Sequence, residues 1–354
     1  MPHHLIIGSI TPYSGKSATV LGLAQQLQKR KLPIAFGKPI GTELGESGLD
    51  ADVAFIQTTL GLSNQQIRPS ILTLTPDLIT QRLRGLDIHN YADKLSAYQE
   101  LGNLDELVLL EGPSTLEEGR LFGLSLREMA MALPAKILLI ARYLSPQVVE
   151  SLLLAQSELG EHLLGILIND IAPNYWESAT LAKEFLEAQG MPVLGLLPRN
   201  QLLRSVSVQE LVRQLGAEVL CRGDRLDLLV EELSIGAMNV SAALKYFRKG
   251  NNMAVITGGD RTDIQWAALE TSTHCLILTG HLPPTPALMA RAEELEIPIL
   301  SVDLDTLTAV EIVDRAFGQV RLHEAVKVDC VYQLMAKHFQ TERLLSALQL
   351  PLPA

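Results

Sequence analysis

Short runs that are apolar at nearly every position, separated by longer amphipathic stretches, fill the first two hundred residues. The runs are "LIIGSI" (5–10), "PIAFGKPI" (33–40), "LVLLEG" (107–112), "AKILLIARY" (135–143), "LLGILIND" (163–170) and "PVLGLLP" (192–198). Continuous rather than alternating apolar character predicts strands covered on both faces. Stretches such as "SPQVVESLLLAQSELG" and "YWESATLAKEFLEAQG" predict helices between them, each ending in a glycine (Gly160, Gly190) suited to the C′ position. This alternation predicts a doubly wound, mostly parallel α/β sheet. After "LLPRN" (196–200), "SVSVQELVRQLGAEVL" predicts a helix running into a new strand, and a second, smaller α/β set follows. A helical stretch over roughly 329–347 comes last. The expected division is therefore 1–208, 209–328 and a closing helix with its tail, 329–354. No short-period repeat or low-complexity segment interrupts it.

Composition narrows the partners. A chain of 354 residues, 47% hydrophobic, has material for two cores. Its net charge of -11 argues against nucleic acid but leaves room for a small anion in a local pocket. Cys221, Cys275 and Cys330 are odd in number and far apart, which fits neither a disulfide framework nor a zinc pattern and predicts buried free thiols. The start "MPHHLIIGSIT" lacks a basic leader region, and "AKILLIARYL" is too short and too charged to span a bilayer. The expectation is a cytoplasmic protein with no membrane partner.

The chemistry gathers at predicted strand ends. A P-loop reads G-x-x-x-x-G-K-[ST] between a strand and a helix; its N–H groups wrap phosphates, its lysine reaches the β/γ oxygens and its hydroxyl binds Mg²⁺. Gly15, Lys16 and Ser17 stand at such a junction, but Ile10 occupies the first glycine position, with Gly8 slightly earlier. A helix N-terminus favours phosphate in either case. The expected nucleotide contacts are Thr11, Ser14, Gly15, Lys16, Ser17 and Ala18. Lys38 ends the second strand, where ligands sit in open α/β sheets. Asp50 and Asp52 precede an apolar helix, as caps or as a Mg²⁺ ligand. Glu111 ends a buried strand in the manner of a Walker B carboxylate. Ser17, Asp52 and Glu111 form the expected metal set, and together these groups predict a Mg²⁺–nucleotide site.

In this order, "GSITPYSGKS", "KP" at 38–39, Asp52 and "EG" at 111–112 resemble the dethiobiotin-synthetase-like branch of P-loop proteins over about residues 1–205. The resemblance implies ATP, or another adenine nucleotide, with Mg²⁺ on Lys16, Ser17, Asp52 (less directly Asp50) and Glu111, and gives Lys38 a catalytic place in carbamate chemistry if the protein is an enzyme. Two departures stand out. "EGPSTLEEG" carries Pro113 and Ser114 where the synthetases have further glycines, and the loop between Gly8 and Gly15 is longer. Nucleotide binding survives these changes better than the synthetases' substrate pocket does.

"AVITGGDRTDIQWAALETSTHCLILTG" resembles the DRTGG domain, which accompanies a synthetase-like domain at the N-terminal end of long phosphate acetyltransferases. The resemblance covers about 210–325, with Asp263-Ile264 in place of the trailing glycines. It implies a nucleotide-responsive regulatory protein, homo-oligomeric with a dimer favoured, acting on a protein partner and without acetyltransferase chemistry, since the catalytic domain follows this module in those enzymes. The alternative is an ATP-dependent ligase or carboxylase acting on a small amine or carboxylate; weak ATPase activity fits either reading.

Residue by residue, Gly258 and Gly259 suggest a tight turn or a close ligand approach. Asp260 is a candidate cap and Arg261 a candidate anion partner, so Gly258, Gly259, Asp260 and Arg261 form a candidate second ligand or assembly site. Thr279, Gly280, Asp305 and Thr306 fall at neighbouring strand and helix ends. His274 and His281 read as solvated, and Trp176 and Trp266 as helix faces packed on a core.

Overall fold

The computed structural model describes residues 3–42, 49–96, 98, 106–320, 322 and 324–350. It divides into two compact units, Met1–Arg199 with Leu322–Ala354, and Asn200–Arg321. The break thus falls earlier than the expected 208/209, and the closing segment belongs to the first unit rather than standing apart.

The first unit is built on seven parallel strands. Their spatial order is Ile67–Arg68, Ile34–Gly37, Leu107–Glu111, His3–Ser9, Lys136–Arg142, Leu163–Ile171 and Val193–Pro198. All six apolar runs appear, and their central residues (Leu5–Ile7, Val108–Leu110, Ile137–Ala141) have no exposed surface. The run "PIAFGKPI" divides. Ile34–Gly37 joins the large sheet, whereas Ile40–Gly41 pairs with Leu72–Thr73 in a separate ribbon. His3–Ser9 lies where the winding changes direction, the place where open α/β sheets take their ligands, beyond the C-terminal ends of the strands.

Helix Lys16–Lys29 covers one face of that strand with Val20, Leu21, Leu23 and Leu27. On this helix Gly22 has no room for a side chain, because Val331 and Met335 of helix Ala325–His338 lie against it. The segment after Leu322 is fastened further by Gln340 N–H donating to Leu194 O (2.8 Å) and by the Thr341 hydroxyl bonding Gln26. The closing helical stretch is two helices, Ala325–His338 and Thr341–Ala347.

In the second unit, Glu232–Ile235, Met253–Gly258, Thr273–Thr279 and Ile299–Val302 run parallel in that order, and Glu218–Cys221 adds an antiparallel edge. Right-handed crossovers that advance in one direction place their helices on one face. Helices Val240–Phe247, Thr262–Leu269 and Pro286–Glu294 accordingly share one core through Phe247, Ile264 and Leu288. Val208–Leu215 and Thr306–Gly318 cover the other face through Leu211 and Val313. Cys221 and Cys275 are buried free thiols, and Cys330 is half-buried. Among the described residues no helix is long and apolar enough to cross a membrane.

Candidate functional site

The loop after His3–Ser9 replaces the missing first glycine with hydroxyl bonding. The Ser14 hydroxyl donates to Thr11 O (2.6 Å) and lies 2.8 Å from the Thr11 hydroxyl, with Ser14 only 1% exposed. Tyr13 (φ +53°) and Gly15 (φ +99°) make the turn in the left-handed region. Gly15 is glycine for a second reason: a Cβ there would sit 2.5 Å from Asn169 Nδ2. Gly15 also caps helix Lys16–Lys29, and no side chain caps the helix in its place. The N–H groups of the first turn, around Ser17 and Ala18, are therefore left for an outside acceptor.

Lys16 is 8% exposed, and its ammonium has two long contacts, to the Ser9 and Ser114 hydroxyls, each 3.4 Å. Burial pushes its pKa down, and the nearby charges of Glu111 and Glu118 only partly oppose that. Ser114 is itself held, its carbonyl by the Ser9 hydroxyl (2.8 Å) and its N–H by the Glu118 carboxylate. The Ser17 hydroxyl donates to Glu111 Oε1 (3.2 Å), while Glu111 Oε2 is buried without a hydrogen-bond partner. Burial holds the Glu111 carboxyl above its ordinary pKa against the pull of Lys38 and Lys16.

Lys38 is fully engaged. It reaches Asp52 Oδ2 (2.5 Å), Asp50 Oδ1 (3.0 Å) and the Thr42 hydroxyl (3.1 Å). Burial lowers its pKa, but Glu111, Asp52 and Asp50 more than offset this and leave it raised. Asp50 caps helix Ala51–Leu60 by accepting from Asp52 N–H (3.0 Å), and it also accepts from Thr42 N–H (2.8 Å). Of the expected metal set, Ser17 and Glu111 are in contact, whereas Asp52 is bonded to Lys38. Sequence reading missed Ser9, Ser114, Glu118 and Asn169. Asn169, ending an apolar run beside Asp170, carried the same strand-end signal that exposed Glu111.

In the second unit the picture differs from expectation. At helix Thr262–Leu269 the N-cap residue is Arg261, with no side-chain cap bond, and Asp260 is exposed rather than capping. Arg261 bonds Met238 O (2.8 Å) and pairs with Asp263 (3.2 Å), so its guanidinium is engaged locally. At Gly259 a Cβ would meet Leu282 Cβ and O at 2.7 Å, so the close approach there is by the chain segment around Leu282. Asp305 caps helix Thr306–Gly318, and Thr279 and Thr306 share a hydrogen bond (2.9 Å). His274 is not solvated but half-buried, with Nδ1 2.7 Å from Leu229 O. Trp176 is 39% exposed against the His338 ring, whereas Trp266 packs on the core.

Residues 3–207 match the family model described as an AAA domain, and residues 210–316 match the DRTGG domain. The phosphate acetyltransferase of Nitratidesulfovibrio vulgaris is 27% identical over 98% of this chain and 52% of its own. That of Synechocystis sp. is 26% identical over 83% and 44%. The chain spans about half the length of these curated relatives, and it is homologous to their N-terminal region. Among solved structures, the CBS and DRTGG domains of the regulatory region of Clostridium perfringens pyrophosphatase, complexed with the activator diadenosine tetraphosphate, match with 19% identity and a TM-score of 0.30, covering 48% of this chain and 85% of that one. The MinD cell division protein of Aquifex aeolicus matches with 14% identity and a TM-score of 0.35, covering 57% and 84%. At these scores neither likeness carries a functional argument.

Proposed function

The chain belongs to the P-loop AAA domain family, and from that premise we propose that its first unit binds an adenine nucleoside triphosphate with Mg²⁺ on Gly15, Lys16, Ser17 and Ala18. The observation that carries this reading is Lys16. A buried ammonium with two 3.4 Å hydroxyl contacts is under-satisfied, and phosphate oxygens are the acceptors that complete it. The Ser17 hydroxyl and the orphaned Glu111 Oε2 suit a hard cation. Mg²⁺ takes few protein ligands and completes its shell with phosphate and water. When bound, it would neutralise phosphate charge.

The chain's own residues do the rest. The first-turn N–H groups and Lys16 orient the phosphates, and the Ser9–Ser114–Glu118 bonds hold the segment after Glu111 beside Lys16. Lys38 stays protonated between Asp50 and Asp52. A lysine so engaged supports a structural cation over the ligase chemistry of the alternative reading. We read the chain as a nucleotide-responsive regulatory protein, with the DRTGG unit carrying assembly or a second effector; such a switch requires different nucleotide affinities in its two states.

Proton linkage at Glu111 tests the reading. The metal-bound form needs the carboxylate, and Glu111 starts with a pKa above the ordinary 4.5. Calorimetry should therefore show Mg²⁺–ATP affinity falling as pH drops from neutrality towards that value, with proton release on binding. Glu111→Gln should reduce the release to what the nucleotide's own phosphate contributes. Affinity independent of pH in the wild type contradicts the assignment.

A further inference from the structure

The strand Leu163–Ile171 ends irregularly. Its register with Val193–Pro198 shifts between Ile168 and Ile171, and Asp170 takes the left-handed conformation (φ +56°). Aspartate tolerates that region better than most residues, but an irregular strand end of this kind needs support from its neighbours. It has support on both sides. Arg142, ending the strand on one flank, donates from Nε to Asp170 Oδ2 (2.7 Å). Arg199, following the strand on the other flank, donates from Nε to Oδ1 (2.9 Å) and anchors its own N–H on Ile171 O (2.8 Å). Tyr143 N–H donates to Asn169 O (2.8 Å).

The bulge aims one side chain at the loop: Asn169 Nδ2 donates to Ser14 O (2.9 Å). A trans peptide points its C=O and N–H to opposite sides. Fixing the Ser14 carbonyl on Asn169 therefore fixes the direction of the Gly15 N–H, one of the donors a phosphate would meet. The loop lacks the first glycine of the usual motif and closes on the Thr11–Ser14 hydroxyl pair, so this outside tie sets the orientation of its last peptide before the helix.

Resting on the phosphate-cradle reading above, we propose that the Arg142–Asp170–Arg199 clamp is a positioning device for the cradle, acting through Asn169. In this role its members act on the loop and not on the phosphate itself. Asp170 is 13% exposed, with Arg142 at 20% and Arg199 at 30%, so the pairs are partly desolvated and hold one geometry better than open surface pairs do.

The test uses the intact chain with two probes in Mg²⁺, ATP and the base-free inorganic tripolyphosphate. Asp170→Asn, Arg199→Met and Asn169→Ala should each weaken both probes about five- to tenfold, the effect of one lost orienting hydrogen bond. Arg199→Lys should recover part of the loss. Thermal melts should stay cooperative and close to the wild type. Because Asp170 acts through Asn169, the double variant Asp170→Asn/Asn169→Ala should bind no more weakly than Asn169→Ala alone. Wild-type affinity in the clamp variants, additive losses in the double variant, or a loss confined to ATP would each overturn the proposal; the last would mean that Asn169 meets the base instead. A wild-type protein that binds neither probe removes the cradle itself and the clamp with it, an outcome distinct from these.

Discussion

Lys16→Ala is expected to weaken Mg²⁺–ATP binding by about 100-fold or more, while the empty protein melts no lower than the wild type. The first half follows from charge-assisted hydrogen bonds, worth about 1.5–3 kcal/mol each, of which a phosphate would accept more than one from this ammonium. The second half follows from what Lys16 lacks. Buried against two 3.4 Å hydroxyl contacts, it has a pKa below 10.5, so the folded protein disfavours the charged form that prevails at neutral pH. Removing the group relieves that cost; by the same sign, its destabilising contribution diminishes as pH rises from its lowered value towards 10.5. Calorimetry and thermal melts on the same samples separate the two effects. Unchanged affinity would contradict the role given to Lys16, and a collapsed melt would mean that the lysine is structural.

A fragment of residues 1–208, the domain expected from sequence, should fail to fold as a cooperative unit. Helices Ala325–His338 and Thr341–Ala347 bury Val331, Met335, Leu344 and Leu345 to 2% exposure or less, with Phe339 and Leu348 nearly as deep. At about 1.5–3 kcal/mol for each buried side chain, their loss is on the order of 10 kcal/mol, comparable with the roughly 5–15 kcal/mol that holds a domain together. The fragment would also uncover Gly22, and Gln26 would lose the Thr341 hydroxyl. Circular dichroism and dye binding should report a loosely packed state, and the 322–354 segment supplied in trans should restore a cooperative melt. A fragment that melts like the full chain contradicts the assignment of those helices to the first unit.

The sheet was legible because both-face burial leaves unbroken apolar runs, and "LIIGSI", "LVLLEG" and "LLGILIND" each became a strand. Ile67–Arg68 was not legible. It is two residues long, and its buried Arg68 is met by Glu106 at 2.7 Å, a distant pairing with no local signature. The destination of the last helices was hidden for the same reason: local pattern predicts a helix, but the glycine that receives it, Gly22, lies some three hundred residues earlier.

At the site, residue type and strand-end position were enough to single out Lys16, Ser17, Lys38 and Glu111. They left open how Asp50 and Asp52 divide their work, and the structure gives the cap to Asp50 and the Lys38 contact to both. In the DRTGG unit the glycine pair suggested a tight turn or a close ligand approach, and the neighbour that leaves Gly259 no room for a side chain is Leu282. A glycine reports close approach without saying what approaches.

Lys16 and Lys38 share their surroundings with Asp50, Asp52, Glu111 and Glu118, so an unchelated nucleotide polyanion meets more negative charge than positive. The most direct test of the nucleotide reading is therefore a titration of the intact chain with ATP, in Mg²⁺ and again in chelator, followed by calorimetry. Saturable binding at one site is expected in Mg²⁺, with affinity at least about tenfold weaker in chelator, the effect of about 1.4 kcal/mol. No saturable binding of any nucleoside triphosphate in Mg²⁺ would contradict that reading.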